Sequence, residues 1–135
     1  MNGVTADSNV FISGLIWRGK PHELLNLARS GQIELAASDA ILDEFTGILR
    51  DKFQWSPERL NALRAEIATF TKHVTPNETL DAVPRDVDDN RILECAVAAE
   101  SEVIVTGDLD LLSLETFQGI QIVSVNDFLA RRRDR

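Results

Sequence analysis

Two periods of apolar residues alternate along the chain. Val4-Thr5-Ala6, Ile33 to Ala37, Val103 to Val105 and Ile120 to Val125 are short apolar runs. They predict strands, and Val103 to Val105, too short for a helix and too apolar for an exposed loop, predicts a buried parallel one. Between them the apolar positions step at helical spacing. Val10, Phe11, Ile12, Leu15 and Ile16 make a first helix, with Ser8-Asn9 as its cap. Leu24, Leu25, Leu27 and Ala28 make a second, opened by Pro21 and stopped at Gly31. Ser38 starts a third with Ile41, Phe45 and Ile48 in one row, and Ser56-Pro57 a fourth with Leu60, Leu63, Ile67 and Phe70. Ile92, Cys95, Ala96 and Ala99 fall at i, i+3, i+4 and i+7 of a fifth, behind the capping residues Asp88, Asp89 and Asn90. Asn126 caps a short last helix through Leu129, and His73 to Arg85, with Pro76 and Pro84, reads as loop or one short irregular strand around Val74.

Strands that alternate with helices imply a three-layer α/β/α arrangement around a central parallel sheet of four or five strands. No internal repeat, low-complexity tract or linker divides the chain, so residues 1–135 are expected to form one domain.

Against this pattern four acids stand out by position. Asp7 follows the first strand, Glu44 lies on the apolar row of the third helix, Asp89 sits at the start of the fifth, and Asp108 follows the strand Val103 to Val105. Counting back from Ile92 and Leu93 places Asp89 on the inward face. Thr106-Gly107-Asp108 falls at the carboxyl end of its strand, where open α/β sheets place their ligand crevice. Glu44 stands where a helix packed on a sheet calls for an apolar residue, and a buried carboxylate is costly unless paired or bound to a metal. The lysines, Lys20, Lys52 and Lys72, lie in helix or loop contexts far in sequence from these strand ends. Hard oxygen donors suit Mg²⁺ or Mn²⁺, and such a site polarises a phosphodiester and activates a bound water without a histidine base. Asp88 and Asp110 read first as solvated turn residues, with a second metal or an outer water as the alternative.

Charge and composition change this picture only in part. A net charge of −8 looks wrong for a nucleic-acid partner, because affinity for phosphates comes mostly from Lys and Arg. Bound divalent cations offset acids gathered in one pocket, and the tail Arg131-Arg132-Arg133-Asp134-Arg135 gathers positive charge at one end. That tail reads first as a solvated helix end that suits the helix dipole. No run of eighteen apolar residues predicts a membrane span, and the start Met1-Asn2-Gly3-Val4-Thr5-Ala6-Asp7 lacks the features of a signal peptide. The single cysteine, Cys95, cannot form an internal disulfide. It fits a reducing, cytoplasmic setting and reads as a buried small hydrophobe.

These residues resemble a known family. Asp7-Ser8-Asn9-Val10-Phe11-Ile12 resembles the opening motif of PIN-domain ribonucleases, and Ser38 through Leu49, with Glu44 inside, their second. Asp86 to Asn90 followed by Ile92 and Ala96 resembles the third, and Thr106-Gly107-Asp108-Leu109-Asp110-Leu111-Leu112 the fourth. No one motif is specific, but four in order over nearly the whole chain are, and the likeness is strongest to toxin components of bacterial toxin–antitoxin systems. The resemblance implies a Mg²⁺- or Mn²⁺-dependent endoribonuclease acting on RNA, often a homodimer, held inactive by a protein antitoxin. Carried over by position, the acidic ligands are Asp7, Glu44, Asp89 and Asp108, with Asn9 and Thr106 as polar supports. The chain departs from the family pattern at Ser8, which replaces a threonine, and at Thr5, where an aliphatic residue is usual. It departs also at Val87, where that subgroup often has proline, and this bears on whether Asp88 or Asp89 faces the metal; Asp89 is assigned.

Other signals are weaker. Gly14 to Lys20 matches much of a phosphate-binding loop, but Pro21 stands where Ser or Thr should hold Mg²⁺, and Gly14 lies well past the first strand. His22 and His73 lack the neighbours of a zinc site or a triad. Trp17 and Trp55 read as core or interface residues before base-stacking ones. Two rivals from other classes remain: a phosphoryl-accepting regulatory domain, which needs a lysine after its final strand where this chain has Ser124-Val125-Asn126, and a catalytically inactive PIN-like module that binds a protein partner.

Overall fold

The structure is a computed structural model that describes residues 2–83 and 87–133. Asp86, which opens the third motif, Pro84 and Arg85 before it, and Asp134 and Arg135 of the basic tail lie outside the described residues. The elements run β1 (Asn2–Ala6), α1 (Ser8–Ile16), α2 (Lys20–Arg29), β2 (Ile33–Ala37), α3 (Asp39–Phe53), α4 (Pro57–Ala68) and β3 (Thr71–His73). They continue with α5 (Val87–Ala98), β4 (Val103–Val105), α6 (Leu109–Leu112), β5 (Thr116–Phe117), β6 (Ile120–Val123) and α7 (Val125–Arg133). The strands form one sheet in the order β3-β2-β1-β4-β6-β5. Every neighbouring pair is parallel except β5 with β6.

That order places the site. From β1 the chain crosses to β2 and β3 on one side, then returns past β1 to β4 on the other. The switch point therefore lies between the carboxyl ends of β1 and β4, where adjacent loops part and leave a crevice. Asp7 and Thr106 are the next residues after those two strands.

Register and alternation assign the two faces of the sheet. Thr5 is level with Ala36 and Ile104, and Ile104 with Ile122, so these four share one face. Helix α5 covers it: the Thr5 hydroxyl bonds Ser101 Oγ at 2.8 Å, just past that helix, and also the Cys95 thiol within it. Val4, Ala6, Leu35 and Val105 point the other way, and all are buried. On α1 the fully buried Phe11 stacks on Phe45 of α3, ring centroids 5.1 Å apart. Gly14 lets α1 and α2 approach closely: a Cβ there would lie 2.7 Å from Leu25 Cδ1 and 2.8 Å from the Pro21 carbonyl oxygen. The glycine that opens the loop-like pattern is thus a packing residue inside a helix, and no phosphate loop forms there.

Several boundaries differ from the sequence reading. Asp7, not Ser8-Asn9, caps α1, its carboxylate accepting from Val10 N–H at 2.8 Å. Helix α5 already runs from Val87, so Asp88, Asp89 and Asn90 lie inside its first turn. The last helix is capped by Ser124, whose hydroxyl accepts from Asp127 N–H at 3.1 Å, with Asn126 inside it. The strand expected around Val74 is Thr71–His73, so Lys72 lies on a strand rather than in a helix or loop, 3.4 Å from Glu34. The sheet also gains a sixth, antiparallel strand beyond the four or five expected, through a hairpin whose turn residues Gln118 and Gly119 have φ of 50° and 82°. Positive φ at both central positions is what a two-residue hairpin turn requires. Trp17 is 64% exposed, which removes it from the core, while Trp55 is half-buried against it.

Candidate active site

A small cleft at the switch point is lined by Asp7, Ser8, Asn9, Glu44, Asp88, Asp89, Ile92 and Asp108. Four elements bring its acids together. Strand β1 delivers Asp7, which caps α1 and is thereby fixed in rotamer and height. Helix α3, itself capped by the Ser38 hydroxyl, carries Glu44 one turn in. The first turn of α5 carries Asp88, exposed, and Asp89, buried. Asp108 follows β4 and caps α6, accepting from the N–H groups of Asp110 at 2.8 Å and Leu111 at 3.1 Å. Short-range helix-start chemistry thus holds Asp7 and Asp108 at the sheet edge, because an Asp at a cap has its carboxylate tied to a backbone N–H.

The polar residues between these acids connect them. Thr106, fully buried, donates its hydroxyl to Asp7 Oδ2 and accepts from Asp108 N–H at 3.0 Å, so one side chain sets the spacing of two carboxylates. Ser8 donates to Glu44 Oε2 at 2.8 Å and ties α1 to α3. Asn9 stands exposed at the cleft. The structure therefore brings Asp7, Glu44, Asp88, Asp89 and Asp108 to one cleft, with Asn9 and Thr106 beside them.

Asp110, on the one-turn helix α6, reaches the same group: one carboxylate oxygen from each of Asp89, Asp108 and Asp110 lies within 4.8 Å of the others, which is compatible with the second-metal or outer-water alternative. Two further buried polar residues of α5, Glu94 and Asn90, carry roles that local sequence does not signal. Glu94 accepts from Leu80 N–H at 2.8 Å and pairs with Arg91 at 2.7 Å. Asn90 Oδ1 accepts from Ala82 and Val83 N–H at 2.9 and 2.8 Å. Together they strap residues 80–83 to α5.

Burial pushes the Asp7 carboxyl above its ordinary value of 3.8. The Thr106 hydroxyl and the Val10 and Gly107 N–H groups pull the other way, and the neighbouring Asp108 charge adds to the rise. Burial likewise pushes the Cys95 thiol up to about 11, so it stays protonated and inert at neutral pH. Among the described residues lining the cleft none is basic. Its volume is about 50 Å³, room for an ion that keeps some of its waters. All of its charged donors are carboxylate oxygens, the set that hard divalent cations prefer over thiolate or imidazole. The residues present fit a Mg²⁺- or Mn²⁺-type ion.

Residues 4–110 match the family model of the PIN domain. The chain belongs to the PIN domain family. That stretch runs from β1 through Asp110 and contains every acid of the cleft. PIN domains are typically metal-dependent nucleases, so family and geometry indicate the same broad chemistry. No curated protein matches this chain. Among the described residues no helix of this PIN domain is long and apolar enough to cross a membrane.

Proposed function

We propose that this PIN domain is a Mg²⁺- or Mn²⁺-dependent endoribonuclease in which Asp7, Glu44, Asp89 and Asp108 hold the metal, with Asp110 as a further acidic donor. The observation that carries the reading is the convergence of carboxylates from β1, α3, α5 and the β4–α6 turn on one cleft. When bound, the ion would polarise the scissile phosphodiester and lower the pKa of a coordinated water. The protein's own part is placement. Thr106 keeps Asp7 and Asp108 in fixed relation, Ser8 orients Glu44, and the cap bonds of Asp7 and Asp108 hold both carboxylates against rotation. Asn9, exposed at the cleft, is placed to orient a water or a substrate oxygen.

The rival phosphoryl-accepting reading gains nothing from the geometry. Ser124 follows the last parallel strand and is engaged in capping α7. In the fuller form of our reading the chain is the toxin of a toxin–antitoxin pair, cytoplasmic, a homodimer, and neutralised by a protein antitoxin. The order of the four motifs in the sequence supports this. The test is cleavage of RNA by the purified protein with Mn²⁺, and its loss in Asp89→Asn. Cleavage that persists in EDTA, or that survives the substitution at full rate, refutes the metal reading. Co-expression with a neighbouring open reading frame that restores growth would support the toxin role, and unimpaired growth on expression of the active protein alone would refute it.

A further inference from the structure

A second recess, about 300 Å³, lies between α4 and the α1–α2 pair, apart from the acid cleft. Arg59, Ala62, Leu63 and Glu66 fall at i, i+3, i+4 and i+7, one stripe of α4, and form one wall. Leu15 and Arg29 form the other, and Trp55 closes one end. The Arg59 guanidinium carbon stands 3.6 Å above the Trp55 ring. At the opposite end Arg29 lies 4.8 Å above Phe70 and 3.9 Å from Glu66. Among the described residues no carboxylate lies within 4.0 Å of Arg59, although the chain as a whole is acidic. Trp55 backs onto the core, so the stacked and exposed guanidinium turns its outer face and N–H edge to solvent. A flat cationic face takes a nucleobase, and a forked N–H edge takes a phosphate. Helix α1 links the two places, with Ser8 at the cleft and Leu15 at the recess. Seven residues of helix span about 10 Å, the length of about three stacked nucleotides at roughly 3.4 Å each.

We propose that this recess binds a single-stranded RNA segment a few nucleotides from the bond that the acid cleft cuts, with Arg59 on Trp55 as its stacking platform. The choice of RNA rests on the nuclease reading; the cationic stacking surface does not. The chain has two tryptophans, so Trp17→Phe leaves Trp55 as the sole reporter. In EDTA, a short oligouridylate should quench its fluorescence saturably, less so as salt rises. Arg59→Glu in that background should weaken binding by about tenfold or more. It should also raise KM for oligonucleotide cleavage while leaving Mn²⁺-dependent turnover of bis(4-nitrophenyl) phosphate, too small to reach the recess, unchanged. Absence of quenching, or equal binding by Arg59→Glu, overturns the proposal, including the case in which the groove takes a protein segment instead. Failure of the wild type to turn over bis(4-nitrophenyl) phosphate would count against the nuclease reading alone, and the quenching titration would still decide the recess.

Discussion

Glu94 and Asp7 are both buried carboxylates, 6% and 7% exposed, yet they sit in opposite kinds of surroundings. Glu94 has a cation of the protein's own, Arg91 at 2.7 Å, and a backbone N–H from Leu80. Its work is to strap a loop onto α5. Asp7 is met, among the described residues, by neutral donors only: the Thr106 hydroxyl and the Val10 and Gly107 N–H groups. The charge nearest in effect is another acid, Asp108. Neutral donors offset part of the cost of burying a carboxylate, and the rest is met by a proton or by a cation. Glu94 carries its own cation, whereas Asp7 has the surroundings that the proposed metal role calls for.

The contrast is broken most decisively by activity. Asp7→Asn and Asp89→Asn are each expected to reduce Mn²⁺-dependent RNA cleavage by more than the roughly hundredfold that outer-shell changes cost, with circular dichroism unchanged. Glu94→Gln, outside the lining of the acid cleft, should leave turnover within a few-fold. Cleavage at wild-type rate by either Asp variant would remove that residue from the site.

Metal binding gives the next largest effect. Since an ion that binds only the folded state stabilises it by RT ln(1 + [L]/Kd), a hundredfold excess over Kd contributes about 2.7 kcal/mol. The melting temperature of the wild type should rise accordingly with Mn²⁺, that of Glu94→Gln in parallel, and that of Asp108→Ala much less. Equal shifts in all three would mean that the ion binds elsewhere.

Much of this site was legible before the fold was known. Asp7, Glu44, Asp89 and Asp108 are marked by what surrounds them, a strand end or an apolar helical row, and such signals are local. The strands Ile33–Ala37 and Val103–Val105 were legible for the same reason. What escaped depends on partners remote in sequence or on single turns. Glu94 looks like any helix-surface acid until residues 80–83 fold across it. Helix α6, which carries Asp110, is a single turn, too short to show a period. The β5–β6 hairpin hangs on Gln118-Gly119, a turn pair without the Asn or Asp that usually announces it. The caps of α1 and α7 lie one or two residues before the expected Ser8-Asn9 and Asn126, at Asp7 and Ser124, because neighbouring polar residues are all competent to cap.

Without metal, the two acids should differ in the sign of their effect on stability. Glu94→Gln removes the charge that Arg91 and the Leu80 N–H depend on, and should destabilise by about 1 kcal/mol, since Arg91 is partly exposed. Asp7→Asn removes a charge that burial disfavours, and in EDTA at neutral pH it should melt no lower than the wild type, or higher. Denaturant titration of both variants in EDTA checks this, and equal losses would erase the distinction.

The smallest effect is the pH dependence. The folded-state pKa of Asp7 is raised above 3.8. Its contribution to stability is therefore fully present below the ordinary carboxyl value and is lost as pH rises through its own raised value. In EDTA the melting temperature of the wild type should fall across that interval relative to Asp7→Asn. Saturating Mn²⁺ should reverse the trend, because the metal binds the deprotonated form. Parallel curves with and without the substitution would show that Asp7 does not titrate as its burial requires.

The central claim, that these carboxylates meet to hold one ion site, is tested most directly by anomalous diffraction from crystals of the full chain grown with Mn²⁺. The account predicts an anomalous peak in the cleft, within coordination distance of Asp89 and Asp108 and beside Asp7. A cleft without a peak at saturating Mn²⁺, or a peak only at other surface acids, would contradict it.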